Sequence, residues 1–194
     1  VVYGNYIGIR TDRSTVEGNR VYGNTNAGIY AGDGTGYAAS LSTVRGNTVY
    51  ANRTGIYAAN YYTVSKEISN NLVYGNTESG LTLLGGNASA TYQVVNNTIY
   101  QAVGDAVLLQ SSAVNVQLVN NILWVDLGNL INVAADSTTG FTSDYNLLYQ
   151  GLSSAAKAGS WGGTLLATLA AWRTTTSQDA ASSRPLVPIS PGFP

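Results

Sequence analysis

Asn47-Thr48-Val49-Tyr50, Asn71-Leu72-Val73-Tyr74, Asn97-Thr98-Ile99-Tyr100 and Asn121-Ile122-Leu123-Trp124 are four copies of one short phrase: an amide, any residue, an aliphatic residue and an aromatic. Asn19-Arg20-Val21-Tyr22 precedes them, Asn146-Leu147-Leu148-Tyr149 follows them, and Val2-Tyr3 is a half-copy at the start. Successive aromatic rungs lie 19, 28, 24, 26, 24 and 25 residues apart. Recurrence on that scale marks a solenoid, in which each repeat is one supersecondary unit stacked on the next.

A second phrase sits between the rungs, a small residue followed by aliphatic ones: Gly8-Ile9, Gly28-Ile29-Tyr30, Gly55-Ile56-Tyr57, Gly80-Leu81-Thr82-Leu83, Ala106-Val107-Leu108-Leu109 and Leu130-Ile131-Asn132-Val133. These are short runs with period two, rich in β-branched residues, and no repeat carries the three-to-four spacing of a helix. Helical repeats are therefore excluded. Leucine-rich repeats would place several leucines per copy, whereas the fixed polar residue here is Asn and the aliphatic positions are mostly Val and Ile. The fold class that remains is all-β: a right-handed parallel β-helix, a single-stranded solenoid of about six to seven coils over residues 1–150.

Strand alternation assigns the columns. With Asn19 inward, Arg20 points out, Val21 in and Tyr22 out. The inward columns are then Val2, Val21, Val49, Val73, Ile99, Leu123, Leu148 and Ile9, Ile29, Ile56, Leu81, Val107, Ile131. Identical positions recur about every 4.8 Å along the rod, so the stacked Asn47, Asn71, Asn97, Asn121 and Asn146 can pass amide hydrogen bonds from coil to coil. Gly28, Gly55 and Gly80 are expected at corners that require positive φ. Glu17 and Arg45, each two residues before a ladder Asn, should face each other as a surface ion pair.

Residues 151–194 break the pattern. A Ser/Ala/Gly-rich connector from Gly151 to Gly163 leads to Thr164–Trp172, where Leu165, Leu169 and Trp172 share the spacing of a short amphipathic helix that could plug the last coil. Ser182-Ser183-Arg184-Pro185 and Pro188, Pro191 and Pro194 read as an extended tail. At the other end Val1 falls inside a motif without an initiator Met, so the chain is expected to be a piece of a longer protein, with the coil of Val2 and Ile9 covered by upstream sequence or by another subunit.

Composition narrows the functional classes. The 194 residues include no Cys, Met or His, only 10% are charged, and the net charge is −1. Nucleic-acid binding would need a clustered basic face, and no apolar stretch approaches the roughly 20 residues of a membrane span. No cofactor is expected; calcium is possible on such a scaffold but has no support here, since calcium sites collect several carboxylates and Asp105 and Asp126 stand at different registers, five past Tyr100 and two past Trp124.

The repeats resemble those of the pectin-lyase-like superfamily over residues 1 to about 150. Ser143-Asp144-Tyr145-Asn146-Leu147-Leu148-Tyr149, Thr168-Leu169-Ala170-Ala171-Trp172, Gln178-Asp179 and Arg184-Pro185 resemble the closing segment of large bacterial secreted right-handed β-helix region proteins. The resemblance implies a secreted or cell-surface location and a polysaccharide partner. It leaves activity open, because that scaffold carries lyases, hydrolases, epimerases, tailspikes and adhesins.

The polygalacturonase-type hydrolases of this resemblance carry an Asp pair at the head of the Gly-Ile strand; Gly104-Asp105-Ala106-Val107 offers one Asp, and a Gly-His-Gly motif cannot exist here. Two carboxylates are the minimum for most glycosidases. Without His, a lyase or epimerase would have to draw its base from Lys66, an Arg or a Tyr. Asp105 itself reads as a turn residue. The best binding candidates are Arg10, Tyr30 and Tyr57, which share the outward column after the Gly-Ile phrase on the face where relatives of this fold bind sugars, with Arg53 and Asp105 as further candidates. Three functions follow: a secreted carbohydrate-binding or display module, a lyase or hydrolase whose catalytic coils lie upstream, and a filament or adhesin subunit.

Overall fold

The computed structural model describes residues 1–33, 41–62, 64–86 and 89–185; Pro188, Pro191 and Pro194 of the expected tail lie outside them. The chain winds into a parallel β-helix with three sheets as its sides. Among the described residues the first sheet has seven strands, Val2–Tyr3, Arg20–Tyr22, Thr48–Tyr50, Leu72–Tyr74, Thr98–Gln101, Ile122–Val125 and Leu147–Gln150. The second has eight, of which Ile7–Asp12, Ala27–Gly32, Thr54–Ala59, Ser79–Leu84, Asp105–Gln110, Gly128–Val133 and Ala156–Trp161 are parallel and Thr164–Leu166 folds back antiparallel. The third has six, Thr15–Glu17, Ser42–Arg45, Lys66–Ser69, Tyr92–Val95, Val116–Val119 and Thr142–Asp144. Complete coils are slightly fewer than the rungs suggest, because the rung at Tyr149 leads into the end cap and not into another third-sheet strand.

Both expected inward columns pair in register, Val21 with Val49 and Val73, and Ile29 with Ile56 and Leu81. A third inward column, Val16, Val44, Ile68, Val94 and Leu118, completes the core. Its sequence signal is an aliphatic residue three before each ladder Asn from Asn19 to Asn121. Each of these side chains contributes roughly 1.5–3 kcal/mol on burial.

Asn47, Asn71, Asn97, Asn121 and Asn146 are buried and form the expected ladder. Each Asn sends its backbone N–H and its side-chain amide to the Oδ1 of the next, as from Asn47 to Asn71 at 3.0 and 3.0 Å. A second ladder, two residues beyond the aromatic, runs Asn5, Asn24, Asn52, Asn76 and closes on Gln101. Gln101 follows its Tyr directly, without the intervening corner residue, and its extra methylene spans the difference.

The left-handed corner residue immediately precedes each ladder amide: Gly18, Gly46, Asn70, Asn96, Asn120 and Tyr145 in the first ladder, Gly4, Gly23, Ala51 and Gly75 in the second. The expectation for Gly28, Gly55 and Gly80 is thereby corrected. They lie inside strands with ordinary backbone angles, and glycine is required for close approach: a Cβ on Gly55 would lie 2.5 Å from the Gly80 carbonyl oxygen and 2.6 Å from Val73 Cγ1.

The end cap also departs from expectation. The connector contains the strand Ala156–Trp161, Thr164–Leu166 is a strand, and the helix is Leu169–Thr176 with Thr168 as its N-cap. Leu165 is exposed, while Trp172 is fully buried against Phe141 and Trp161. Pairing along the last strand, which puts Leu165 and Leu166 on opposite faces, overrides helical spacing. Ser182 Oγ accepts from the Asn146 N–H at 2.8 Å, and Asp179 Oδ1 accepts from Asn146 Nδ2 at 3.1 Å, so the tail supplies the missing next rung of the ladder.

Candidate functional site

Outward columns are set by the same register. Arg10, Tyr30, Tyr57, Thr82, Leu108 and Asn132 are successive neighbours on the outer face of the second sheet. The Arg10 guanidinium lies 4.9 Å from the centre of the Tyr30 ring, and Tyr30 stacks on Tyr57 at 5.3 Å with 15° between planes. Three of the sequence candidates are thus one continuous stack. Burial pushes both phenols above the usual tyrosine range, for Tyr57 with the nearby Tyr61 and Tyr30 adding to it, so they remain neutral donors.

The stack stops where the column narrows to Thr82. A hollow of about 170 Å³ opens there, lined by Tyr57, Thr82, Leu108, Gln110, Arg53, Glu78, Asn26 and Thr54. Its length along the axis, from Tyr57 to Leu108, is two coil steps of about 4.8 Å. Beneath it Ser79 Oγ lies 2.7 Å from Thr82 Oγ1 and donates to Thr54 Oγ1 at 3.4 Å, a buried chain of hydroxyls. On the rim Arg53 grips Glu78 with two contacts, Nε to Oε2 at 2.6 Å and a terminal nitrogen to Oε1 at 3.3 Å. A second, open hollow of about 340 Å³ continues from Arg53 over the corner, along Asn24, Thr25, Asn52 and Thr77.

Asp105 does not line the hollow, and it is not a turn residue: it opens the strand Asp105–Gln110. Its Oδ1 accepts from the Asn129 N–H and Nδ2 at 2.9 and 2.7 Å, and its Oδ2 from Asn132 Nδ2 at 2.7 Å. Asp126 is occupied in the same way, by Trp124 Nε1 at 2.8 Å and the Tyr100 hydroxyl at 2.7 Å.

Lys66 is not poised as a surface base. Its ammonium is buried between coils, donating to Gly32 O at 2.9 Å and paired with Asp33. Burial pushes it below the usual lysine range, against the opposing pull of Asp33. The other Asp33 oxygen accepts the backbone N–H groups of Tyr61 and Tyr62, two exposed residues of which Tyr61 lies close to Tyr30 and Tyr57. Sequence reasoning missed this pair, and the doubled Tyr at a coil corner is the only signal it left.

The long aromatic ladder is a different surface. Tyr3, Tyr22, Tyr50 and Tyr74 stack nearly parallel at 5.2, 4.9 and 4.9 Å, and Arg20 bonds the Tyr50 hydroxyl at 2.9 and 2.6 Å. Stacking consumes both faces of every interior ring, leaving edges outward, which serves rod stability. Glu17 and Arg45 meet at 2.9 Å as expected, half-exposed, a pair contributing about 0–1 kcal/mol.

The right-handed beta helix region family matches residues 7–146. The chain belongs to that family. No curated protein and no solved structure matches it. Among its described residues, this β-helix has no helix long and apolar enough to cross a membrane.

Proposed function

We propose that this β-helix is a carbohydrate-associated binding module of the cell surface or extracellular space, holding a sugar ring against Tyr57. The observation that carries the reading is the end of the Arg10, Tyr30, Tyr57 stack. Tyr30 is covered on both faces, but Tyr57 turns its second face towards a hollow above the small Thr82. An aromatic face beside amide and hydroxyl groups suits a pyranose, whose C–H face is apolar and whose rim is polar. The volume, below the roughly 300–1,000 Å³ of drug-sized pockets, favours a single ring, with neighbouring sugars of a chain lying on the open corner past Arg53.

Binding is favoured over cleavage because Asp105 and Asp126 spend both carboxylate oxygens on neighbouring residues. Lys66 is spent on Asp33. Calorimetric titration with a panel of oligosaccharides tests the reading: at least one should bind, and Tyr57→Ala or a Thr82→Trp plug should weaken it at least tenfold with the fold intact by circular dichroism. Unchanged affinity in both variants would remove the hollow from consideration.

A further inference from the structure

The hollow has a charge-balanced lining. Arg53 is the one cation in its lining and Glu78 the one anion, and the two-contact fork between them leaves the lining without net charge. The remaining polar groups, on Asn26, Thr54, Thr82 and Gln110, are neutral hydrogen-bonding groups. Arg10 lies beyond both tyrosines, three coil steps or about 14 Å from the Thr82 position, past the screening length of about 8 Å in physiological salt. A sugar carboxylate entering the hollow would meet Glu78 as a like charge and find Arg53 already occupied.

Resting on the reading of Tyr57 as a sugar platform, we propose that the hollow takes a neutral hexose or pentose ring and disfavours uronates, with Glu78 as the specificity-determining residue. Glu78 acts by holding Arg53 in the fork. Both side chains are about half-exposed, so the pair adds little to stability and can be altered without endangering the coil.

The experiment compares cellotriose and xylotriose with trigalacturonate by calorimetry on the native chain, E78Q, the E78Q/R53M double variant and Y57A, with thermal unfolding of each as a control. The native chain should bind one of the neutral trisaccharides at least tenfold more tightly than trigalacturonate. E78Q frees Arg53 and should tighten trigalacturonate binding about tenfold, in a salt-dependent way, and the double variant should abolish that gain. Equal or tighter binding of trigalacturonate by the native chain, or no gain in E78Q, overturns the role of Glu78. If Y57A still loses neutral-sugar binding in that case, the platform stands and only the selectivity falls. No binding of any of these sugars by the native chain and E78Q overturns both.

Discussion

Asn97 Oδ1 accepts two hydrogen bonds from Asn71, from its backbone N–H at 3.0 Å and from Nδ2 at 2.9 Å. Asn71 Oδ1 accepts the equivalent pair from Asn47, at 3.0 and 3.0 Å. One amide therefore satisfies the backbone of the coil before it while anchoring itself to the coil after it.

Asn71→Leu should destabilise the rod although leucine is more apolar. The buried Asn47 N–H loses its acceptor and the Val44 carbonyl loses the Asn71 amide. Each orphaned group costs about 1–3 kcal/mol. Chemical denaturation should show the loss; a variant as stable as the parent would mean that the ladder is not a stabilising element.

The two kinds of glycine should separate under substitution. Gly55→Ala drives a Cβ into the Gly80 carbonyl and should cost about 1–3 kcal/mol through overpacking. Ala51 occupies the left-handed corner with φ 53° where its equivalents are Gly23 and Gly75, and left-handed alanine is strained by about 1–2 kcal/mol. Ala51→Gly should therefore raise the melting temperature, and a fall would contradict the corner assignment.

Tyr100 provides a pH signature. Burial, then its bond to Asp126, pushes the phenol up to about 12 from 10.0. A folded value above the unfolded one means that the stabilisation is fully present below pH 10 and is lost as pH rises through 12. Tyr100→Phe should lose about 1–3 kcal/mol at neutral pH, for a hydrogen bond to a charged group. The gap between parent and variant should narrow between pH 10 and 12; a gap constant over that range would place the ionisation elsewhere.

Trp172→Ala should open the cap. The ring is fully buried and its Nε1 donates to Asp179 Oδ2 at 2.8 Å, the residue that also receives the final ladder amide. Removal of a buried Trp costs about 3–5 kcal/mol. Hydrogen exchange should quicken first at Asn146 and Leu148, whose N–H groups bond Ser182 Oγ and Ser183 O; protection unchanged there would mean that the cap does not hold the last coil.

The columns of this rod were legible in the sequence because each depends only on strand alternation and on one residue recurring at one place per coil. Val21 over Val49, Asn47 over Asn71 and Tyr30 over Tyr57 follow from spacing within a motif, however long the loops between motifs are. The third column was equally written, as the aliphatic residue three before each Asn from Asn19 to Asn121, and so was the second ladder, as the amide two after Tyr3, Tyr22, Tyr50 and Tyr74. The pairing of Arg53 with Glu78 was written as well, since each stands two residues before the glycine of its second phrase, Gly55 and Gly80. What crosses from one sheet to another was not written. Asp33 and Lys66 meet because the buried Lys66 side chain reaches from the third sheet to the end of the second-sheet strand Ala27–Gly32, where it also bonds Gly32 O. The hollow exists because Thr82 is small between Tyr57 and Leu108, a difference of side-chain volume that becomes a site only when three coils are stacked.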